Sequence, residues 1–431
     1  MTVRRLLAVL VSLASLIAQA APVAFTNVRL PGDDAAVTVL VDGMLIRDVG
    51  AGIKLPKDTR VIEGNGAYLS PGLAEMHGHT PVPFGDHDQQ FVRDMMFLYV
   101  ANGVTLVRGM LGAPGQLELR DAVDNGEMLG PTLFIAGPSF SGNSIGSPGE
   151  ARARVREQKQ AGWDLLKVHP GLTRAEYDAM ALEAHARGIR FGGHVPASVG
   201  LVHAIGMGQH TFDHIDGYLQ HLDYPARPID TTELDRLVSL TREAGAWIVP
   251  TLVLWDHVIG LGDPDEKLNW PENAFWPRER VMRWQFAMAR NAGERSQETL
   301  AAYSRARSRV LAALHAGGVP ILMGTDSPQI FSVPGFSIHR EMAAMEAAGM
   351  SAAEVWRSGT ENVARYLTGH RAVGRVAPGF QADLILVEDD PTVSLATLAS
   401  PLGVMVRGRW LSAAEIAEGL AEIRARQNGE P

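Results

Sequence analysis

The chain has no cysteine in its 431 residues. That excludes disulfides, thiolate metal ligands, a cysteine nucleophile and a lipidated cysteine anchor. Metal chemistry would have to use histidine, carboxylates or a group made from another side chain. A basic excess is also lacking: 39 Lys and Arg stand against 48 Asp and Glu, for a formal net charge of −9. An acidic chain without a basic block is a poor nucleic-acid binder. The arginines of residues 278–309 are interleaved with glutamates at helical spacing, which makes a solvated helix face. No long membrane-spanning run stands at the start either. Residues 6–17 are apolar but too few to cross a bilayer as a helix. Arg4 and Arg5 precede that run and Ala18-Gln19-Ala20 follows it, so residues 1–20 read as a secretory signal cleaved after Ala20. The expectation is a periplasmic or secreted protein, with no stable membrane anchor after cleavage.

What is present alternates. Apolar runs at residues 72–79, 104–108, 132–136, 165–169, 190–195, 211–214, 247–252 and 319–326 read as strands. Helical patterns fall at 89–101, 115–125, 150–161, 174–187, 199–208, 232–244, 278–316 and 351–367. Several end on glycine, as in Ala101-Asn102-Gly103 and Arg187-Gly188, which suits a left-handed C-cap. Strands alternating with helices imply an α/β protein with a parallel sheet, and eight such units close most readily into a (β/α)8 TIM barrel. The flanks, 23–70 and 373–412, show short strands with turn signals such as Asp42-Gly43 and Pro378-Gly379. They read as two halves of one small β-sandwich. The expected division is a signal at 1–20, the first half of the β-sandwich at 21–70, the (β/α)8 barrel domain at 71–372, and the second half of the β-sandwich with a C-terminal helix at 373–431.

Polar residues gather at the strand ends. His77 and His79 sit two apart at the end of the first run, where side chains share one face and two imidazoles can meet one ion. Lys167 lies near the end of the fourth run. His194 closes the fifth, His214 the sixth and Asp326 the eighth. Barrel enzymes place their sites at this C-terminal mouth, and packing alone does not explain six such residues on five strand ends.

The segment Pro71-Gly72-Leu73-Ala74-Glu75-Met76-His77-Gly78-His79 is followed by Lys167, His194, His214 and Gly324-Thr325-Asp326. In that order these residues resemble the amidohydrolase superfamily, and residues 374–385 resemble its returning β-domain. Gly193-His194-Val195-Pro196 and Asp213-His214-Ile215-Asp216-Gly217-Tyr218 are most similar to the branch holding Xaa-Pro dipeptidases and imidazolonepropionase-like proteins. The resemblance implies two divalent ions, commonly Zn2+. His77, His79 and Asp326 would hold one, and His194 and His214 the other. Lys167, carbamylated by CO2, would bridge them. A lysine ammonium would be repelled by the ions, whereas its carbamate is an anion with two oxygens. The implied reaction is cleavage of an amide C–N bond in a small molecule or dipeptide by a metal-activated hydroxide, with Asp326 as general acid and base.

His169, Tyr218 and His339 are candidate substrate contacts, Tyr218 as an oxyanion donor. Residues 255–284, with Trp270 and Trp276 beside prolines, read as an insertion after the seventh strand, either a lid or a packed cover. Dipeptidases of this branch often carry Gly-Gly-His after the third strand, where this chain has Gly137-Pro138-Ser139-Phe140 without a histidine. A deaminase would want an acid just after His194, and none is there. A lactonase or phosphotriesterase on the same metal set stays open, as does a non-catalytic barrel. A homo-oligomer is compatible with the sequence.

Overall fold

The computed structural model describes residues 21–82 and 89–429. The expected signal at 1–20 lies outside the described residues. Strands β1 (Val23–Val28), β2 (Val37–Asp42), β3 (Leu45–Gly50) and β4 (Arg60–Glu63) form a sheet of order β3-β2-β1-β4. After β5 (Tyr68–Pro71) the chain enters its parallel strands. β6 (Leu73–Gly78), β7 (Val104–Gly109) and β8 (Thr132–Ile135) make one sheet. β9 (Leu165–Val168), β10 (Arg190–Gly193), β11 (Thr211–Asp213) and β12 (Trp247–Val249) make the next. These strands are buried along almost their whole length, as expected of parallel strands covered on both faces.

Helices separate the strands, and their ends follow local chemistry. Pro148–Ala161 starts on Ser147, whose hydroxyl accepts the Glu150 amide. Arg174–Arg187 starts on a Thr173/Glu176 capping box and stops at left-handed Gly188.

The two parallel sheets continue into each other. Ala136 bridges to Leu165 from β8 to β9. Beyond β12, Ile248 bridges to Ile321 and accepts the Leu322 amide at 2.8 Å. The Met76 amide on β6 then donates to the Met323 carbonyl at 2.8 Å. The eighth expected run thus lies between β12 and β6, but it is not a regular strand. At Gly324 its backbone passes too close to β6 for a side chain: a Cβ there would stand 2.7 Å from the His77 nitrogen.

The C-terminal strands β13 (Leu384–Val387), β14 (Gly403–Val406) and β15 (Arg409–Ser412) pair with β5 in the order β15-β14-β13-β5. Phe25, Val39 and Ile46 from the first flank share an apolar core with Leu384, Leu386 and Met405 from the second.

Two long helical patterns are split. The stretch 278–316 is two helices, Arg278–Ala292 and Gln297–Ala316, because Gly293 turns to φ 56° and Ser296 caps a new start. The stretch 351–367 divides into Ala352–Ser358 and Glu361–Tyr366 at Gly359 and Thr360. The insertion after β12 holds the helix Leu252–Ile259 and two shorter helical turns. Trp276 is buried between the rings of Phe91 and Trp284, and Trp270 lies under Arg340, so both pack the insertion. Trp255 instead faces a cavity at the strand ends. Among the described residues no helix is long and apolar enough to cross a membrane.

Candidate metal centre

His77 lies on β6 and His79 one residue past its end, two positions apart, the spacing that shares one side of an extended chain. His77 and Lys167, the latter from β9, are each 1% exposed. His194 follows β10, and His214 follows β11 at φ 64°. Asp326 ends the irregular eighth segment at φ 60°. Left-handed backbone at a non-glycine residue costs energy and persists where surrounding contacts enforce it. Here the His214 amide donates to Val249 O at 2.7 Å and the Asp326 amide to His77 O at 2.5 Å.

These side chains meet. His79 Nε2 is 2.6 Å from Asp326 Oδ1, and His77 Nε2 is 3.6 Å from the same oxygen. His77, His79 and Asp326 offer ligand atoms all within 4.8 Å of one another. His214 Nε2 lies 3.8 Å from Asp326 Oδ2, and Lys167 Nζ lies 3.0 Å from His77 Nε2. The His214 ring centroid is 4.5 Å from those of both His77 and His194. The structure therefore brings together all six residues expected as ligands.

Three of the imidazoles are held from behind. His77 Nδ1 is 2.8 Å from Asp213 Oδ2, His194 Nδ1 is 2.6 Å from Asp216 Oδ2, and His214 Nδ1 is 2.8 Å from Thr251 Oγ1. Fixing Nδ1 leaves Nε2 as the free nitrogen, the usual arrangement of a metal-binding histidine. Asp213 is itself fixed by Arg108, whose Nη2 donates to both carboxylate oxygens at 3.1 and 3.0 Å. Gln329 Nε2 donates to Asp326 Oδ1 at 2.7 Å. Below, the Glu75 carboxylate accepts the amides of His77 and Thr325 and ties β6 to the eighth segment.

The protonation states suit metal ligands. Burial, helped by Lys167, pushes His77 down to about 4 and His169 down to about 3. Burial also holds His214 well below its ordinary value, so these rings are neutral and keep a lone pair. Lys167 is lowered by burial too. Burial works to raise the Asp326 carboxyl, but His77 and His79 outweigh it and hold Asp326 below the usual carboxylate range. His214 Nε2 is buried without a hydrogen-bond partner among the described residues. An orphaned lone pair beside a carboxylate and two more imidazoles fits a divalent cation.

The centre lines a cavity of about 500 Å³ whose other walls are Leu111, Leu254, Trp255 and Val258. His169 lines it as expected, 5.1 Å from the His194 ring. Tyr218 does not. Positive φ at His214, Ile215 and Gly217 turns the chain away, and the buried Tyr218 hydroxyl meets Thr241 Oγ1 at 2.6 Å. The expected oxyanion role for Tyr218 is therefore corrected. His339 lies inside the helix Ser337–Ala347, away from the cavity lining, with neither ring nitrogen hydrogen-bonded among the described residues. It is corrected as a substrate contact as well. Sequence reasoning missed the supporting groups Asp213, Asp216, Thr251, Arg108 and Gln329. The only sequence signal for any of them is that Asp213 and Asp216 flank His214.

Comparison with known proteins agrees with this geometry. The model of the amidohydrolase family matches residues 68–411. A dihydroorotase of Geobacter metallireducens is 27% identical over 167 residues, which cover 37% of this chain and 37% of that protein. Among solved structures, a bottromycin amidohydrolase superposes with a TM-score of 0.74 at 22% identity, covering 94% of this chain and 90% of the other. A Xaa-Pro dipeptidase with methionine bound in its active site gives 0.66 at 20% identity, covering 91% of this chain and 100% of the other. At these identities the likeness is one of fold.

Proposed function

The chain belongs to the amidohydrolase family, and we propose that it is a metal-dependent hydrolase that cleaves an amide C–N bond in a small molecule. One observation carries this reading. Three imidazoles with their Nδ1 atoms anchored converge with His79, Asp326 and buried Lys167 on one cavity. The proposal takes residues 71–372 as a closed eight-stranded barrel, supported by the bonds that carry β12 through the eighth segment to β6. The flanks at 21–70 and 373–431 then form one small β-sandwich and a C-terminal helix around their shared core.

His77, His79 and Asp326 would hold one divalent ion, and His194 and His214 a second. Imidazole and carboxylate donors in this number suit zinc. Among the described residues no carboxylate pairs directly with Lys167 Nζ, an uncomfortable place for a buried ammonium. Addition of the neutral amine to CO2, with loss of a proton, would turn it into an N-carboxylate, an anion with two oxygens suited to holding divalent ions. When bound, the ions would acidify water and polarise the amide carbonyl. Asp326 stands where it can carry a proton. Water adds to the amide carbon, the C–N bond breaks, and Asp326 moves the proton from that water to the departing nitrogen. Gln329, donating to Oδ1, holds this carboxylate in line. His169, neutral and on the cavity wall, is placed to contact the substrate.

Metal analysis of protein purified without chelators, paired with assays on N-acyl amino acids and Xaa-Pro dipeptides, tests this. The expectation is two ions per chain with amide turnover. Lys167→Ala should lose at least one ion. An Asp326→Asn protein that keeps both ions and most of its activity would remove Asp326 from the proton path.

A further inference from the structure

The cavity wall opposite the histidines is apolar, and the cations around it are committed elsewhere. Leu111, Leu254, Trp255 and Val258 face the ligand cluster. Lys167 is the one cationic residue in the described lining, and it belongs to the ligand set. Arg307 lies close by but is closed off. It is 8% exposed, it donates to the His214 carbonyl, and it sits 4.9 Å from the Trp255 ring centroid. Arg108 is fully buried on Asp213.

A free dipeptide carries a carboxylate one residue from its scissile bond. Desolvating that carboxylate against leucine, valine and tryptophan without a cationic side chain to pair with is costly, whereas an uncharged flat group gains by burial there and can still meet the unpaired Trp255 indole N–H. The lining can offer an uncharged substrate the amide of Gln329 and the imidazole of His169. Building on the hydrolase reading above, we propose that the site selects uncharged amides bearing an apolar, preferably aromatic, group, and rejects substrates with a free carboxylate next to the scissile amide. Of the small molecules and dipeptides expected from sequence, this leaves the uncharged small molecules. Trp255 and Leu254 supply the selecting wall, and Leu111 forms part of its accessible rim at 39% exposure.

Two chromogenic anilides that differ by one carboxylate test this on the metal-loaded enzyme: 4-nitroacetanilide and 5-acetamido-2-nitrobenzoic acid. The expected kcat/KM is at least tenfold higher for the neutral anilide. Leu111→Arg places a cation at the rim, where it can stay solvated, and should shrink that ratio at least fivefold. Equal rates, a preference for the carboxylate, or a ratio unmoved by Leu111→Arg would overturn the proposal. If neither anilide is cleaved while both ions are bound, the hydrolase reading loses support, and calorimetric titration of the same pair decides the selectivity. Neutral binding at least tenfold tighter supports it. Equal binding, or no binding of the neutral anilide, overturns it.

Discussion

Removing Asp213 should damage stability and metal binding by separable amounts. Its carboxylate is fully buried, receives two hydrogen bonds from the equally buried Arg108, and stands 2.8 Å from His77 Nδ1. Burial alone would raise its pKa, yet Arg108 and then His77 hold it far below the usual carboxylate range. In Asp213→Ala the guanidinium loses its counter-charge. It cannot swing out, because Nε also donates to Met76 O at 2.5 Å and Nη1 to Thr211 and Tyr366. An uncompensated buried charge of this kind costs about 3–5 kcal/mol. His77 also loses the group that orients it, which lowers metal affinity by roughly 10–100-fold, or about 1.4–2.8 kcal/mol. Guanidinium unfolding of metal-free protein reads the first effect, and zinc titration against a competing chelator reads the second. The double variant Asp213→Leu, Arg108→Met separates them. Replacing both charges with apolar groups should recover most of the lost stability, while zinc affinity stays low because His77 is still unanchored. If Asp213→Ala unfolds within about 1 kcal/mol of the parent and binds zinc as tightly, the orienting role of the pair is refuted.

Gly193→Ala should lose stability by about 1–3 kcal/mol and bind zinc more weakly. Gly193 sits at φ 120°, and a Cβ there would stand 2.6 Å from Val168 O and 2.9 Å from Lys167 Cδ; chelator titration and unfolding on one preparation check both. Thr251→Val removes the acceptor of His214 Nδ1 while keeping the side-chain volume. It should weaken one of the two proposed metal sites by about tenfold, visible as a second, looser phase in a zinc titration. Glu341, buried and accepting the amides of Leu252 and Val253, is raised by burial from 4.5 to about 7. The folded chain therefore holds this proton more tightly than the unfolded chain. Its contribution to stability falls as pH rises from about 4.5 to 7 and is level above that, a loss of about 3 kcal/mol. Glu341→Gln cannot ionise, so unfolding curves at pH 5 and pH 8 should differ less for the variant than for the parent; equal differences would show that burial does not govern this carboxyl.

The candidate ligands that converge on the cavity were legible in the sequence and the groups behind them were not, for a physical reason. His77 and Lys167 lie on regular strands, where period-2 alternation sets direction, and His79, His194 and His214 each follow a strand's last residue. Direction is lost once the chain leaves a strand. Tyr218 is four residues past His214, but left-handed Ile215 and Gly217 intervene and its hydroxyl ends on Thr241. His339 sits in a helix whose facing depends on neighbours distant in sequence. Asp213 and Asp216 make the point most sharply. Both lie within two residues of His214, yet neither holds it. Asp213 orients His77, from the first parallel strand, and Asp216 orients His194, from the strand before. Thr251, beyond the next strand, orients His214. Each orienting group comes from a different element than the imidazole it serves, so its assignment depends on which strands become neighbours. That dependence also explains why Asp213 is the most informative position to perturb. It joins β11 to His77 on β6 and to Arg108 on β7, and its removal tests the packing of the strands and the orientation of a ligand together.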